Sequence, residues 1–393
     1  MIRLALNLTL FLYVFGVFIF SKVEGLSLAT NVALLCLLVV LAVRGLKSGL
    51  AGLKYSLIIL PLAFILFLSI FWSRYPVEAL ISFVSFLTAS VGGIAIMLAL
   101  MNGATPKSVF WAAFLGSSYL VYSAWQEKAV LALSRVAGLA GNANELGITL
   151  TIAALLLSSS PICEEKKIWP KIYAVFLVLF SVYFTGSRTM LFVLFLMAIG
   201  YFAFLIKLLI HKSTLRKLLL HLLLVGFLVF IMGPFLWESF SATEVWKRTV
   251  EGVQGLNLSS EIRKQMIKDG VLLWLNRPFL GYGINQFRFE TAWDTYSHSN
   301  YIEMLVSAGL LGLFSYYGIF LSLIYLLFRK TTNRNALIWF ALLLPFLWGI
   351  SAVPYYMKDS WLLIGISAWA IFSGKKISET KMQPLKRGEI HCS

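Results

Sequence analysis

The chain is divided into long apolar runs at a spacing that a membrane explains. Stretches of about 17–25 residues, the length an α-helix needs to cross a bilayer core, lie near 4–20, 26–43, 55–72, 79–101, 109–125, 145–160, 172–186, 189–210, 218–237, 301–328, 336–353 and 360–374. Composition agrees: 60% of the 393 residues are hydrophobic and 13% are charged, whereas soluble domains are roughly 45–50% apolar. The expected fold class is an all-α polytopic membrane protein with about twelve transmembrane helices in a single membrane domain, 1–393. Met1-Ile2-Arg3 and the run behind it resemble a signal peptide, but no small-residue cleavage site follows Phe20, so the run is read as the first spanning helix.

Charge orients these spans. With both termini in the cytoplasm, as an even helix number allows, 20 of the 33 basic residues fall inside with only Glu164, Glu165, Glu379 and Glu389. The inner face then carries the whole formal charge of +16 and the outer face none. That asymmetry is the positive-inside rule for short loops, so the basic excess reflects topology and no nucleic-acid partner is expected. Cys36, Cys163 and Cys392 are scattered and suggest neither a disulfide framework nor a zinc site.

One connector is large. Residues 238–299, between the ninth and tenth spans, form a partly helical outer loop, too long to be a passive link. Within it 259–276 reads as a serine-capped helix with Ile262, Met266 and Leu273 on one face, laid against the membrane surface. Arg277-Pro278 ends it, because the residue before proline is pushed out of helical geometry, and Gly281-Tyr282-Gly283 makes a tight turn.

Of the four histidines, His211 and His391 are cytoplasmic by this topology, and His221 lies inside the ninth span. His298 alone joins an outer position to a polar approach, just before a helix whose start reads as a capping box of Asn300 and Glu303. The positive end of the helix dipole disfavours imidazolium there, and a neutral imidazole can act as a general base. A polar interfacial side chain near a cap has the same signature, and spacing leaves both readings open.

Arg188 stands between apolar runs in FTGSRTMLFV, where an unpartnered arginine is costly. Its planar guanidinium suits phosphate oxygens. Arg263 on the loop helix, with Arg277 and Arg288 flanking the glycine turn, could converge on the same anion; solvation or pairing with loop acids is the plainer account of these. The segment 135–147, RVAGLAGNANELG, carries Arg135 and a capping pair, Asn142 with Glu145, and leaves Asn144 to line a polar pocket at the outer mouth. Glu145 is a candidate partner for an arginine. Tyr282, Phe287, Trp293 and Tyr296 could stack on sugars, although aromatic belts are common at interfaces. The sequence has no GxxxxGK[ST], HExxH or GxSxG motif and no outer acidic pair, so no cofactor and no metal are expected.

GNANELG, TGSR at a helix junction, an outer loop with Arg263 and PFLGYG, and HSNYIEMLVSAGLLGL occur in that order; together with SIFWSRYP at 69–76, the region of about 69–330 resembles the O-antigen ligase and O-antigen polymerase superfamily. The resemblance implies transfer of a glycan from a polyprenyl (undecaprenyl) diphosphate donor to an acceptor on the periplasmic side of the bacterial inner membrane. A ligase uses a lipid A-core acceptor, and a polymerase uses another lipid-linked repeat unit. It also implies His298 as the base, with Arg188 and Arg263 on the diphosphate; Arg277, Arg288, Arg135, Asn144, Tyr282 and Asn300 complete the expected substrate-binding set. Against this stands a transporter or flippase, which would carry charged residues at mid-membrane depth, whereas the charges here sit at span boundaries. A structural membrane protein would have no use for His298.

Overall fold

The computed structural model describes residues 1–23, 25–45, 49–131, 135–159, 168–188, 190–191, 241, 243–254, 258–330 and 336–381. These are helical and contain no strand. In chain order the α-helices are α1 (Ile2–Phe18), α2 (Ser27–Arg44), α3 (Gly49–Ser69), α4 (Pro76–Met101), α5 (Pro106–Leu131), α6 (Ala143–Ser158), α7 (Trp169–Thr185), α8 (Glu244–Val253), α9 (Leu258–Asn276), α10 (Phe287–Glu290), α11 (Asn300–Lys330), α12 (Ala336–Trp348) and α13 (Lys358–Lys381). Among the described residues five segments are long and apolar enough to cross a membrane: Ile2–Lys22, Ser27–Arg44, Gly52–Trp72, Pro76–Met101 and Asn300–Arg329. Ala143–Ser158 and Trp169–Thr185 are apolar but shorter. The expected spans at 189–210 and 218–237 lie, but for 190–191, outside the described residues. The chain is a multi-pass membrane protein, and its outward faces are apolar in keeping: Leu35, Phe64, Leu80, Phe314 and Leu321 are all exposed.

Two apolar cores hold the bundle. One gathers α1, α2, α5, α6 and α7; the other gathers α3 and α11; α4, α12 and α13 contribute to both. The α4 and α13 backbones meet at Gly93 and Gly365, where a Cβ on Gly365 would strike the Gly93 carbonyl. Lipid tails are as apolar as leucine, so helices in a bilayer associate through such close packing.

The connectors expected on the outer side collect at one end of the bundle. Ile284 N–H donates to Ser69 Oγ at 3.0 Å, and Tyr75 N–H donates to Gln286 Oε1 at 3.2 Å. Tyr75 packs on Phe289 with ring centroids 4.6 Å apart. SIFWSRYP is thus the dock for the large loop.

The apolar stretch 301–328 does not form one continuous helix, as hydropathy suggests. α11 breaks at Ala308 (φ −141°, ψ 15°) and Gly309 (φ 63°, ψ −158°). PFLGYG fills the break: Tyr282 N–H donates to Val306 O at 2.7 Å and Gly283 N–H to Ser307 O at 2.9 Å, while Leu310 N–H donates to Pro278 O at 2.9 Å. Backbone groups freed by the kink are therefore paired with the loop, which a membrane environment requires. A side chain at Gly309 would meet the Phe279 backbone and would have to adopt a left-handed conformation.

α9 agrees with the sequence reading within a residue at each end. Met266 is buried with Phe287, Ile302 and Val306, and Ile262 and Leu273 pack around them. Its apolar face is covered by the first turns of α11.

Candidate functional site

His298 sits two residues before α11, with φ of 55°. A non-glycine residue held in the left-handed region costs free energy and persists only where its surroundings enforce it. Here they do. Glu303, buried in the first turn of α11, accepts from Ser297 N–H at 3.0 Å and Ser297 Oγ–H at 2.8 Å. On the other side of the histidine, Ser299 Oγ–H donates to Gly349 O at 3.2 Å. The imidazole is half-buried, with its centroid 4.3 Å from that of Tyr296, and both rings line a cleft with Asn142, Asn144, Glu145, Ser351 and Tyr356.

The capping box expected of Asn300 and Glu303 does not form. Glu303 reaches past Asn300 to Ser297, and Asn300 is buried, its N–H donating to Gly349 O at 2.8 Å and its Nδ2 to Tyr317 Oη at 3.3 Å. Asn300 ties α11 to α12 and does not line the cleft.

Four guanidinium groups gather beside this cleft. Arg135 Nε donates to Thr185 O at 2.6 Å and its Nη2 to Asn144 Oδ1 at 2.9 Å. Arg188 donates to Ser260 Oγ at 2.8 Å and Arg248 O at 3.3 Å. Arg248 donates to Gly186 O at 3.1 Å and Ser259 Oγ at 3.4 Å. Burial foremost, then Arg248, Arg263 and Arg188, brings Arg135 down to about 10, with Glu244 the carboxylate that opposes them. Burial, then Arg188 and Arg248, likewise lowers Arg263, and burial and Arg248 lower Arg188. Arg135, Arg188 and Arg263 are thus each lowered by neighbouring guanidinium charge, that of Arg248 included.

The same field reaches His298. Burial first and the Arg263 charge second bring its imidazole down to about 4, so it is neutral at pH 7. The arrangement sets a neutral imidazole on a fixed backbone next to a cluster of guanidinium groups.

Residues 173–317 match the family model described as O-antigen ligase. Over these residues the chain is similar to the O-antigen ligase family. No curated protein matches the chain. The matched O-antigen ligase segment runs from α7 into α11 and contains Arg188, Arg248, Arg263 and His298; Arg135, Asn144 and Glu145 reach the cleft from outside it.

At and beside this cleft the structure brings together His298, Arg188, Arg263, Arg135, Asn144 and Tyr296. Other expected residues it sets apart. Arg277 is exposed and stacks on Tyr282, its guanidinium carbon 4.5 Å from the ring centroid, so these two engage each other and not the arginine cluster. Arg288 lies on α10 within electrostatic reach of Tyr296 and Glu303. Phe287 is core, and Trp293 Nε1 donates to Asp269 Oδ2 at 2.9 Å. Asn142 does cap α6, accepting from Asn144 N–H at 2.8 Å, but Glu145 faces the cleft and the Lys22–Asp359 pair, and not an arginine. Arg248 is the residue that sequence reasoning missed. EVWKRTVEG reads as an ordinary amphipathic surface helix, and only the fold carries its arginine to Gly186 and the TGSR junction.

Proposed function

We propose that this O-antigen ligase-family chain is a glycosyltransferase that moves a glycan from a polyprenyl diphosphate to a hydroxyl-bearing acceptor at the periplasmic face of the bacterial inner membrane, within a twelve-span topology with both termini in the cytoplasm. The observation that carries this reading is a neutral histidine beside four converging arginines.

His298 takes the proton of the acceptor hydroxyl as its oxygen attacks the anomeric carbon. The bond from that carbon to the diphosphate oxygen breaks, and the electron pair leaves with the diphosphate. Negative charge therefore grows where Arg188, Arg248 and Arg263 stand, and preorganised cations act most strongly on charge that develops in the transition state. Attack from the face opposite the leaving group inverts the anomeric centre. The donor carries its own activation, so no nucleotide is consumed. The acceptor in this reading is lipid A-core oligosaccharide; the other reading within the superfamily is a polymerase that lengthens lipid-linked repeats.

The test incubates the purified protein with polyprenyl diphosphate oligosaccharide and either lipid A-core or excess donor, with and without chelator. Glycan on the core lipid supports a ligase, and a lengthened donor makes the protein a polymerase. No product with either acceptor, or undiminished transfer by a His298→Ala variant, rejects the mechanism.

A further inference from the structure

The cleft itself and its surroundings differ in charge. Arg135, Arg188, Arg248 and Arg263 stand close to one another beside the cleft, Arg263 within electrostatic reach of His298 and Arg135 bonded to Asn144. The residues that line the cleft, among them Asn142, Glu145, Ser351 and Tyr356, include no lysine or arginine. Behind Glu145, Lys22 Nζ and Asp359 Oδ2 pair at 3.2 Å with side chains 8% and 1% exposed. Asp359 is further engaged: its Oδ2 accepts from Thr149 Oγ1–H at 2.7 Å and its Oδ1 from Ser360 N–H at 2.9 Å. Lys22 is thus cancelled by a carboxylate whose acceptor sites are already in use. Glu145 lies within electrostatic reach of both.

The cleft's hydrogen-bonding capacity is equally particular. Asn142 Oδ1 is occupied by the Asn144 N–H, and Asn144 Oδ1 by Arg135, so each amide turns a free NH₂ donor group to its surroundings. Glu145 supplies acceptors and has no hydrogen-bond partner among the described residues. Donors and acceptors alternating beside the aromatic rings of Tyr296 and Tyr356 match vicinal sugar hydroxyls, each of which both gives and takes a hydrogen bond. A half-buried carboxylate without donors is costly until a ligand provides them.

We propose that this cleft is the acceptor subsite and that it selects an uncharged, hydroxyl-rich terminal sugar, with Glu145 as the residue that holds two of its hydroxyls and turns away phosphate- or carboxylate-bearing sugars. The proposal rests on the glycosyl-transfer reading above and adds the chemistry of its second substrate. A phosphorylated acceptor sugar would set its charge against the Glu145 carboxylate, beside which the nearest lysine, Lys22, is already paired with Asp359.

The test uses the full-length protein in nanodiscs, with a polyprenyl diphosphate oligosaccharide as donor and two glycolipid acceptors that differ only by a phosphate on the terminal hexose. Transferred glycan and released polyprenyl diphosphate are both measured. A charge-assisted hydrogen bond is worth about tenfold to hundredfold in affinity, so Glu145→Ala is expected to raise the acceptor KM by about that factor. The donor KM stays within about twofold, which also shows that the variant is folded. The isosteric Glu145→Gln is expected to narrow the preference for the neutral acceptor by about tenfold. An acceptor KM unmoved in both variants, or a wild-type preference for the phosphorylated acceptor, removes the subsite while leaving glycosyl transfer intact. Wild-type protein that releases no polyprenyl diphosphate with either acceptor removes both.

Discussion

In the free enzyme, transfer activity should survive acidification until His298 takes up a proton, and burial together with Arg263 holds that event down to about 4 instead of the usual 6.5. At pH 5 an imidazole titrating near 4 is about nine-tenths neutral, whereas one titrating near 6.5 is about 3% neutral, a roughly thirtyfold difference in competent base. The assay is kcat/KM for transfer in nanodiscs between pH 3.5 and 8, since that ratio reports the free enzyme's essential base. Arg263→Gln then separates the two causes. Burial is the larger and remains, so the acid limb should rise by no more than about one pH unit, and relative activity at pH 5 should fall from about nine-tenths to about a half. Only the shape of the profile is compared, because the variant also loses grip on the donor. Wild-type activity that already falls off near pH 6.5, or a limb that Arg263→Gln leaves in place, would refute the assignment of His298 and Arg263 to one electrostatic unit. The same depression affects the fold. Above 6.5 His298 is neutral both folded and unfolded and contributes nothing pH-dependent; between 6.5 and about 4 the unfolded chain binds a proton that the folded one resists, so the melting temperature should drop over that window and level off below it.

Arg248→Ala should lower kcat/KM for the donor by about tenfold to hundredfold with the acceptor KM unchanged, as steady-state kinetics would show, because it removes one of the charges facing the leaving diphosphate. Glu303→Ala frees Ser297 from both of its bonds to the carboxylate and should lower kcat more than either KM by loosening the backbone under His298; an unchanged kcat would show that Ser299 alone suffices. Gly309→Ala places a Cβ against the Phe279 backbone at a left-handed φ and should cost at least about 1–3 kcal/mol, with faster proteolysis within 278–286 as the readout.

Much of this architecture is written in one dimension. A run of apolar residues long enough for a bilayer crosses it wherever its neighbours are, so the helices α1 to α4 follow from composition along the chain, and Arg277-Pro278 stops α9 by local sterics. Arg188 was legible for a related reason: a polar side chain at the edge of an apolar run is expensive, and the expense marks it whatever it touches. His298 stood out by its outer position before a helix start, and Arg263 chiefly by the family resemblance. Arg248 bears no such mark, since a short amphipathic helix with mixed charges explains its own residues without reference to a site.

What tertiary structure alone decided lies in contacts between segments that hydropathy cannot pair. Gly309 looks like any glycine in a membrane helix until PFLGYG supplies the hydrogen bonds that let α11 break there. Asn300 reads as a cap and proves to be a buried tie, because Gly349 and Tyr317 happen to face it. Lys22 and Asp359, at opposite ends of the chain, become a buried pair only when α1 and α13 are neighbours, and that pairing engages the lysine nearest Glu145. Apolar periodicity determines which segments enter the membrane; the order in which they stand around one another comes from close packing and from the few polar groups that must find partners there.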